Sequence, residues 1–375
     1  MNSVPSPARI PFLDLHAQYL TIRDDIHRAI EGVFEESRFV LGPAVARFEE
    51  SFAAYCGVKH AVGVTNGTNA LILLFTAAGI GPGDEVIVPA NTFVATAEAV
   101  CRAGATPVFV DCDADTGLID PSAVAAALTE KTKAVVPVHL YGQMAPMREV
   151  AAVAEPRGIA VFEDACQAHG ARQDGKRAGS VGKAAAFSFY PGKNLGAAGE
   201  AGAVVTNDEE LAARLRLLRN HGMPRKYVHD LVGFNARMHG IQGAVLSVKL
   251  PHLDAWNARR RAIAARYDAA FAHLPDIRPM RVVPGNEHVY HLYVIRSTRR
   301  DALAAHLAAA GIETGIHYPY PIHLQKAYAD SGKGQGSLPR AEALAGDILS
   351  LPIYPELPDT HVDEVVAAIR DFATH

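Results

Sequence analysis

Cysteine is scarce and scattered: four residues, at positions 56, 101, 112 and 166, form no C-x-x-C pair and no cluster with histidine. That spacing argues against a disulfide framework and against a zinc site, and it fits a reducing cytoplasm. A basic block is also missing. With 36 Lys+Arg against 40 Asp+Glu the net charge is -4, so the chain lacks the electrostatic footprint that phosphate-backbone binding needs, and nucleic acid is not the expected partner. No apolar run is continuous enough for a membrane span: the longest uncharged stretch, Ala61 to Gly83, holds five glycines and a proline. The opening MNSVPSPARIPFLDLHAQ has no apolar h-region, and Asp14 comes too early for a secretory signal. Neither G-x-G-x-x-G nor G-x-x-x-x-G-K-[ST] occurs, which disfavours dinucleotide and P-loop folds.

What is present is a soluble, small-molecule-binding composition, 49% hydrophobic and 20% charged over 375 residues, enough for about two domains with substantial cores. From residue 45 onward short apolar runs alternate with helical periodicity, the pattern of a sheet flanked by helices. Seven runs read as buried strands: Ala61–Val64, Glu85–Pro89, Thr106–Val110, Lys133–Leu140, Ile159–Glu163, Lys183–Phe189 and Ala203–Thr206. Val45, Phe48, Phe52 and Tyr55 fall at helical spacing, with Gly57 as a C-cap. Asp120-Pro121 marks one helix start, and Asn207 stands before another, DEELAARLRLLR. After Pro251 comes a long helical stretch, LDAWNARRRAIAARYDAAF. Two strand-like runs follow, VYHLYVIRS and IETGI, separated by the helix RDALAAHLAAAG, and an amphipathic helix from Thr360 to Thr374 closes the chain. The expected division is a large domain over 1–250, with an N-terminal helical segment, and a smaller domain over 251–375.

Asp164 stands at the carboxyl end of a buried strand, where ligands bind in open α/β sheets, although alone it reads more readily as a turn cap. Its company matters. Lys193 lies between Gly192 and Asn194 at the end of an apolar strand, and a lysine desolvated there becomes a nucleophile towards an aldehyde; alone it would read as a solvated surface lysine. With an aspartate to hold a pyridinium proton, the pair describes a pyridoxal-phosphate site. Asn66-Gly67-Thr68 at a helix start supplies N–H groups and a hydroxyl for a phosphate, with Ser188 as a further donor, though Asn-Gly is also a common tight turn. Phe93 is placed to stack on a pyridine ring or to fill core. Prolines 319 and 321 make His317-Tyr318-Pro319-Tyr320-Pro321 a stiff arm, suited to positioning a substrate or to joining two domains.

The blocks FLDLHAQY, FVLGPAVARFEESFAAYCG, NGTNAL, PGDEVIVPANTFVATAEAV, VHLYGQ, EDACQAHGA, FSFYPGKNLGAAGEAGAV, GFNARMHGIQGAVL, GIHYPYPIHLQ and SLPIYPEL resemble, in order, the DegT/DnrJ/EryC1/StrS family of sugar aminotransferases. They run from about residue 11 to 357, nearly the whole chain. The resemblance implies an α/β protein of the aspartate-aminotransferase-like fold type I of pyridoxal-phosphate enzymes. It has a seven-stranded, mainly parallel sheet, a smaller C-terminal α+β domain, and a homodimer with composite sites. It implies Lys193 as the Schiff-base lysine and proton shuttle, Asp164 as partner of the pyridine nitrogen, and Gln167 beside the ring hydroxyl. Gly67, Thr68 and Ser188 match phosphate ligands, Phe93 the stacking ring, and Asn235 an asparagine reaching the phosphate from the other subunit. His317 and Tyr318 match sugar contacts; Lys226, Tyr227 and His229 match a segment near the nucleotide diphosphate. No metal is implied.

Three positions depart from the common pattern: Cys166 stands where alanine is usual, and Ala236 and His239 replace an often larger and an often acidic residue. Members that dehydrate the sugar carry histidine in place of the lysine, so Lys193 disfavours dehydration. The implied reaction moves an amino group, with glutamate as donor, to a nucleotide-linked keto-sugar at C3. The alternatives are a 4-keto-6-deoxy-hexose acceptor or a non-catalytic, cofactor-binding regulator.

Overall fold

The computed structural model describes residues 9–374; the first eight positions of the expected large domain and the last of the smaller one lie outside them. Seven strands form the main sheet: β1 (His60–Val64), β2 (Glu85–Pro89), β3 (Thr106–Val110), β4 (Thr132–Val135), β5 (Ala160–Asp164), β6 (Ala184–Ser188) and β7 (Gly202–Thr206). Their spatial order is β1-β7-β6-β5-β4-β2-β3. The pairs from β6 through β3 are parallel, while β7 runs against both neighbours. Alternate residues feed two cores, one per face. Val62, Val88, Phe162 and Ala186 enter the first; Ala61, Ile87, Val161 and Phe187 enter the second. Burial on both faces explains why these strands read as unbroken apolar runs instead of alternating ones.

Helices cover both faces. In α1 (Leu15–Glu36) Asp14 is the N-cap, accepting from the Ala17 N–H at 2.9 Å. In α2 (Pro43–Cys56) Val45, Phe48 and Phe52 are buried, and Gly57 closes the helix at φ 76° as expected. α3 (Gly67–Ala77) starts at the Asn66 cap and α4 (Ala95–Arg102) follows β2. Among the described residues no helix is long and apolar enough to cross a membrane.

Farther along, Leu253–Phe271, Arg300–Ala309 and Asp359–Thr374 surround a small antiparallel sheet with strand order Arg278–Pro279, Tyr293–Arg296, Ile348–Leu351. Their apolar faces, including Ile263, Leu303, Leu307, Val362 and Ile369, form a third core that Ile10 joins from the N-terminal segment.

Three local expectations need correction. The run Lys133–Leu140 is a continuous strand only to Val135; beyond it the chain keeps separate backbone bonds, from Val136 N to Ile87 O and in a bridge of Val138 with Asp164, and Leu140–Gly142 is a 3-10 turn with Tyr141 at φ 61°. IETGI is not a strand but carries isolated bridges, Ile312 to Ile10 and Gly315 to Ser350, while the ladder with Tyr293–Arg296 is formed by Ile348–Leu351. Asp208, not Asn207, caps the helix Glu209–Leu218, accepting from the Leu211 N–H; Asn207 accepts from the Lys59 N–H instead.

Candidate active site

β5 and β6 deliver the chemistry to one end of the sheet. At the end of β5 successive carboxylates point to opposite faces. Asp164 lines a cavity of about 620 Å³. Glu163, fully buried, turns to the other side, where it accepts from the N–H groups of Gly179, Val181 and Gly182 at 2.7, 3.0 and 2.6 Å. His139 Nε2 lies 2.7 Å from the same carboxylate, and its Nδ1 accepts from the Ala145 N–H, so the ring proton sits on Nε2. Burial pushes the Glu163 carboxyl up, but the His139 and backbone hydrogen bonds outweigh it and the net shift is downward. Glu163 anchors a loop; Asp164 faces the cavity.

Asp164 is held in place from two sides. The Thr96 hydroxyl donates to Oδ2 at 2.8 Å and the Cys166 N–H to Oδ1 at 3.2 Å. Lys193 follows β6 in a tightly tied loop. Its N–H donates to Tyr190 O, and the next residue, Asn194, donates from Nδ2 to Asn257 Oδ1 at 2.8 Å and to Val289 O at 2.9 Å. Lys249 Nζ reaches Gly196 O at 2.8 Å. Burial lowers the Lys193 ammonium from its usual range, with Cys166 and Asp164 pulling the other way. A lysine so placed gives up its proton more readily than one in water.

The helix start of α3 forms a cradle. Asn66 spends its side chain on the Asn69 N–H at 2.8 Å, and the first in-helix bond runs from Ala70 N to Asn66 O, which leaves the Gly67 and Thr68 N–H groups facing the cavity end of the helix. A Cβ on Gly67 would stand 2.6 Å from Ser188 Cβ, so only glycine lets the backbone and the Ser188 hydroxyl come together there. Two N–H donors, a hydroxyl and the positive end of a helix suit a phosphate.

The opposite wall comes from distant chain. Phe93, 51% exposed, lies 5.6 Å from the Tyr318 ring. Gln167 accepts from the Tyr141 N–H at 2.7 Å and donates to Tyr318 Oη at 3.1 Å. Burial, with the nearby Asp164 charge second, pushes the Tyr318 hydroxyl up, so it stays protonated. Phe12 and Leu13 of the N-terminal segment complete this side, as does His291, whose Nδ1 is buried without a partner among the described residues.

Of the residues singled out in the sequence, Gly67, Thr68, Phe93, Asp164, Gln167, Ser188, Lys193, His317 and Tyr318 share this one cavity. Asn235, Lys226, Tyr227 and His229 do not line it within their own chain. Asn235 accepts from Arg237, and His229 Nδ1 lies 2.9 Å from His221 O. Thr96, Tyr141, Phe12 and His291 escaped sequence reasoning. Thr96 sits in the ANTFVATAEA block, yet nothing local says that its hydroxyl meets a carboxylate 68 positions later. Among the described residues no cluster of three His, Cys, Asp or Glu is placed to hold a metal.

A buried amine, a fixed carboxylate and a phosphate cradle in one cavity fit pyridoxal phosphate, and comparison with known proteins agrees. The sequence matches the DegT/DnrJ/EryC1/StrS aminotransferase family over residues 20–370. It is 49% identical to dTDP-3-amino-3,4,6-trideoxy-alpha-D-glucose transaminase of Streptomyces venezuelae over 373 residues, covering 100% of this chain and 98% of that protein. The fold superposes on a crystal structure of S. venezuelae DesV in complex with a ketimine intermediate, with a TM-score of 0.96, 49% identity and 99% and 100% coverage of the two chains. It also superposes on NtdA of Bacillus subtilis with bound cofactor PMP, with a TM-score of 0.92, 31% identity and 99% and 86% coverage. The chain belongs to the DegT/DnrJ/EryC1/StrS aminotransferase family. It is an enzyme, a pyridoxal-phosphate-dependent sugar aminotransferase of fold type I.

Proposed function

We propose that this enzyme transfers the amino group of L-glutamate to C3 of a nucleotide-linked 3-keto-hexose. The observation that carries the reading is the single cavity in which Lys193, Asp164 and the Gly67-Thr68 cradle face His317 and Tyr318. The C3 position is supported by the 3-amino product in the name of the S. venezuelae relative.

The cofactor, when bound, supplies an electron sink that stabilises a negative charge next to the nitrogen being transferred. Gly67, Thr68 and Ser188 hold its phosphate, and Phe93 packs on its ring. Asp164, kept in orientation by Thr96, holds a proton on the ring nitrogen. Lys193 Nζ removes the proton from the amino-acid α-carbon and later returns one to the sugar carbon that receives the amine. A free amine is required for the first step, and burial of Lys193 favours it. His317 and Tyr318 orient the sugar so that the ketone, and not a neighbouring hydroxyl, meets that nitrogen.

We read the working unit as a homodimer with composite sites, in which Asn235 reaches the partner's phosphate and Lys226, Tyr227 and His229 lie near its nucleotide. Two exposed apolar surfaces support this: Tyr227 and Val232 are 81% and 96% exposed, and Leu20 and Phe34 on α1 are 54% and 58% exposed. Large apolar side chains left in water in these two segments are of the kind that contact with another chain covers. The test incubates the purified enzyme with glutamate and nucleotide-linked 3-keto- or 4-keto-hexoses and locates the new amine by NMR. Nitrogen at C3 is expected; nitrogen at C4 overturns the position, and no amination of any such sugar overturns the substrate class.

A further inference from the structure

His317 is gripped from several sides, but only one of its ring nitrogens is engaged. Nδ1 lies 2.8 Å from Ser350 Oγ, whereas Nε2 has no partner among the described residues and is not sealed from the cavity that His317 lines. Phe12 stacks on the imidazole at 5.7 Å and 21°, and Tyr141 Oη donates to the His317 carbonyl at 2.7 Å. A Cβ at Gly315 would stand 2.7 Å from the ring's Cε1, so glycine there makes room for this ring position.

Ser350 is fully buried in the strand Ile348–Leu351. It pairs with Val294 on one side, and its backbone exchanges two hydrogen bonds with Gly315, at 3.1 and 2.7 Å, on the other. A side chain so fixed cannot follow a moving histidine. Among the described residues its hydroxyl has His317 Nδ1 as its single partner. A hydroxyl has one proton and two lone pairs, and a neutral imidazole has one donor and one acceptor nitrogen. Were Nδ1–H the donor, the buried Ser350 proton would have no acceptor. With the hydroxyl donating to Nδ1, no buried donor is left over, and the ring proton sits on Nε2. Burial, with Lys193 second, lowers the His317 pKa to about 4, so at neutral pH the ring is uncharged and its tautomer matters.

We propose that Ser350 is a positioning residue that locks His317 as the Nε2–H tautomer, making the nitrogen left free in the cavity wall a hydrogen-bond donor to an acceptor oxygen of the keto-sugar. The sugar's part in this rests on the function proposed above; the tautomer does not. The test uses the full-length holoenzyme labelled with 15N-histidine, the His317 signals being assigned by their loss in His317→Gln. Wild type should show a protonated Nε2 and an unprotonated Nδ1. Ser350→Ala should shift the proton towards Nδ1 and slow the keto-sugar half-reaction about tenfold, with the glutamate half-reaction within about twofold. Ser350→Thr, which keeps the hydroxyl, should keep the wild-type spectrum. An Nδ1–H signal in wild type, or an unchanged Nε2–H signal in Ser350→Ala, overturns the proposal. If Ser350→Ala does not fold, the wild-type and Ser350→Thr spectra still decide. A His317→Gln variant that aminates the sugar normally removes the substrate role of His317 and leaves the tautomer to stand or fall on the spectra.

Discussion

The Thr96 hydroxyl donates a 2.8 Å hydrogen bond to Asp164 Oδ2, joining a fully buried residue of α4 to the last residue of β5. Thr92 Oγ1 lies 3.2 Å from the same hydroxyl, so Asp164 ends a short polar chain that fixes which way its carboxylate faces. Thr96→Val keeps the shape and removes the donor. We expect bound cofactor to be retained and kcat to fall about tenfold, the effect of losing one charge-assisted hydrogen bond. Steady-state kinetics beside Asp164→Asn, which should lose most activity, checks this; a Thr96→Val rate within about twofold of wild type would show that Asp164 needs no such support.

Lys193 is held by its neighbours, not by its own packing, so truncating it should spare the fold. Lys193→Ala is expected to lose at least about a hundredfold in turnover, the range for removing a general acid/base, with circular dichroism and Tm near wild type. Turnover close to the wild-type rate would remove the central role given to this amine.

The position of Asn235 outside its own chain's cavity makes subunit complementation informative. Mixing Lys193→Ala chains with Asn235→Ala chains under exchange conditions should produce heterodimers with one doubly defective site and one intact site. Activity should rise above that of either parent. Verified heterodimers with no recovery would place Asn235 in its own chain's chemistry.

Glu163 is a stability determinant with a defined pH dependence. Its native pKa is held down, so its contribution is fully present above the unfolded value of about 4.3 and is lost as pH falls through the lower native value. Glu163→Gln leaves the His139 and backbone donors without their anion and should cost about 1.5–3 kcal/mol at pH 7, the range for hydrogen bonds to a charged group. The gap between variant and wild type should narrow at and below pH 4. Urea unfolding at both pH values measures it, and an equal gap at both would mean that the carboxylate charge is not what holds the loop of residues 179–182.

Legibility in the sequence varied with the range of the cause. The seven strands were readable because a strand buried on both faces leaves a dense apolar run, and Gly57 and Asp120 because caps are made by residues a few positions apart. IETGI misled because its apolar content serves the core through Ile312 and Ile316, while the ladder position belongs to residues 348–351. Asn207 misled because two adjacent residues can both cap, and the choice fell to Asp208 once Asn207 met Lys59 across the fold.

The sequence by itself determined the α/β class, through runs buried on both faces alternating with helical periodicity, and it marked Asp164 and Lys193 as a pair; the ordered motif blocks around them, through the family they resemble, named the chemistry. Tertiary structure alone decided what surrounds them. Thr96 reaches Asp164, Phe12 covers His317, and Ser350 stands behind it because parallel strands are joined by long crossovers and the N-terminal segment returns to residues 311–313. Such contacts depend on strand order and register, which periodicity within a single stretch of chain does not encode.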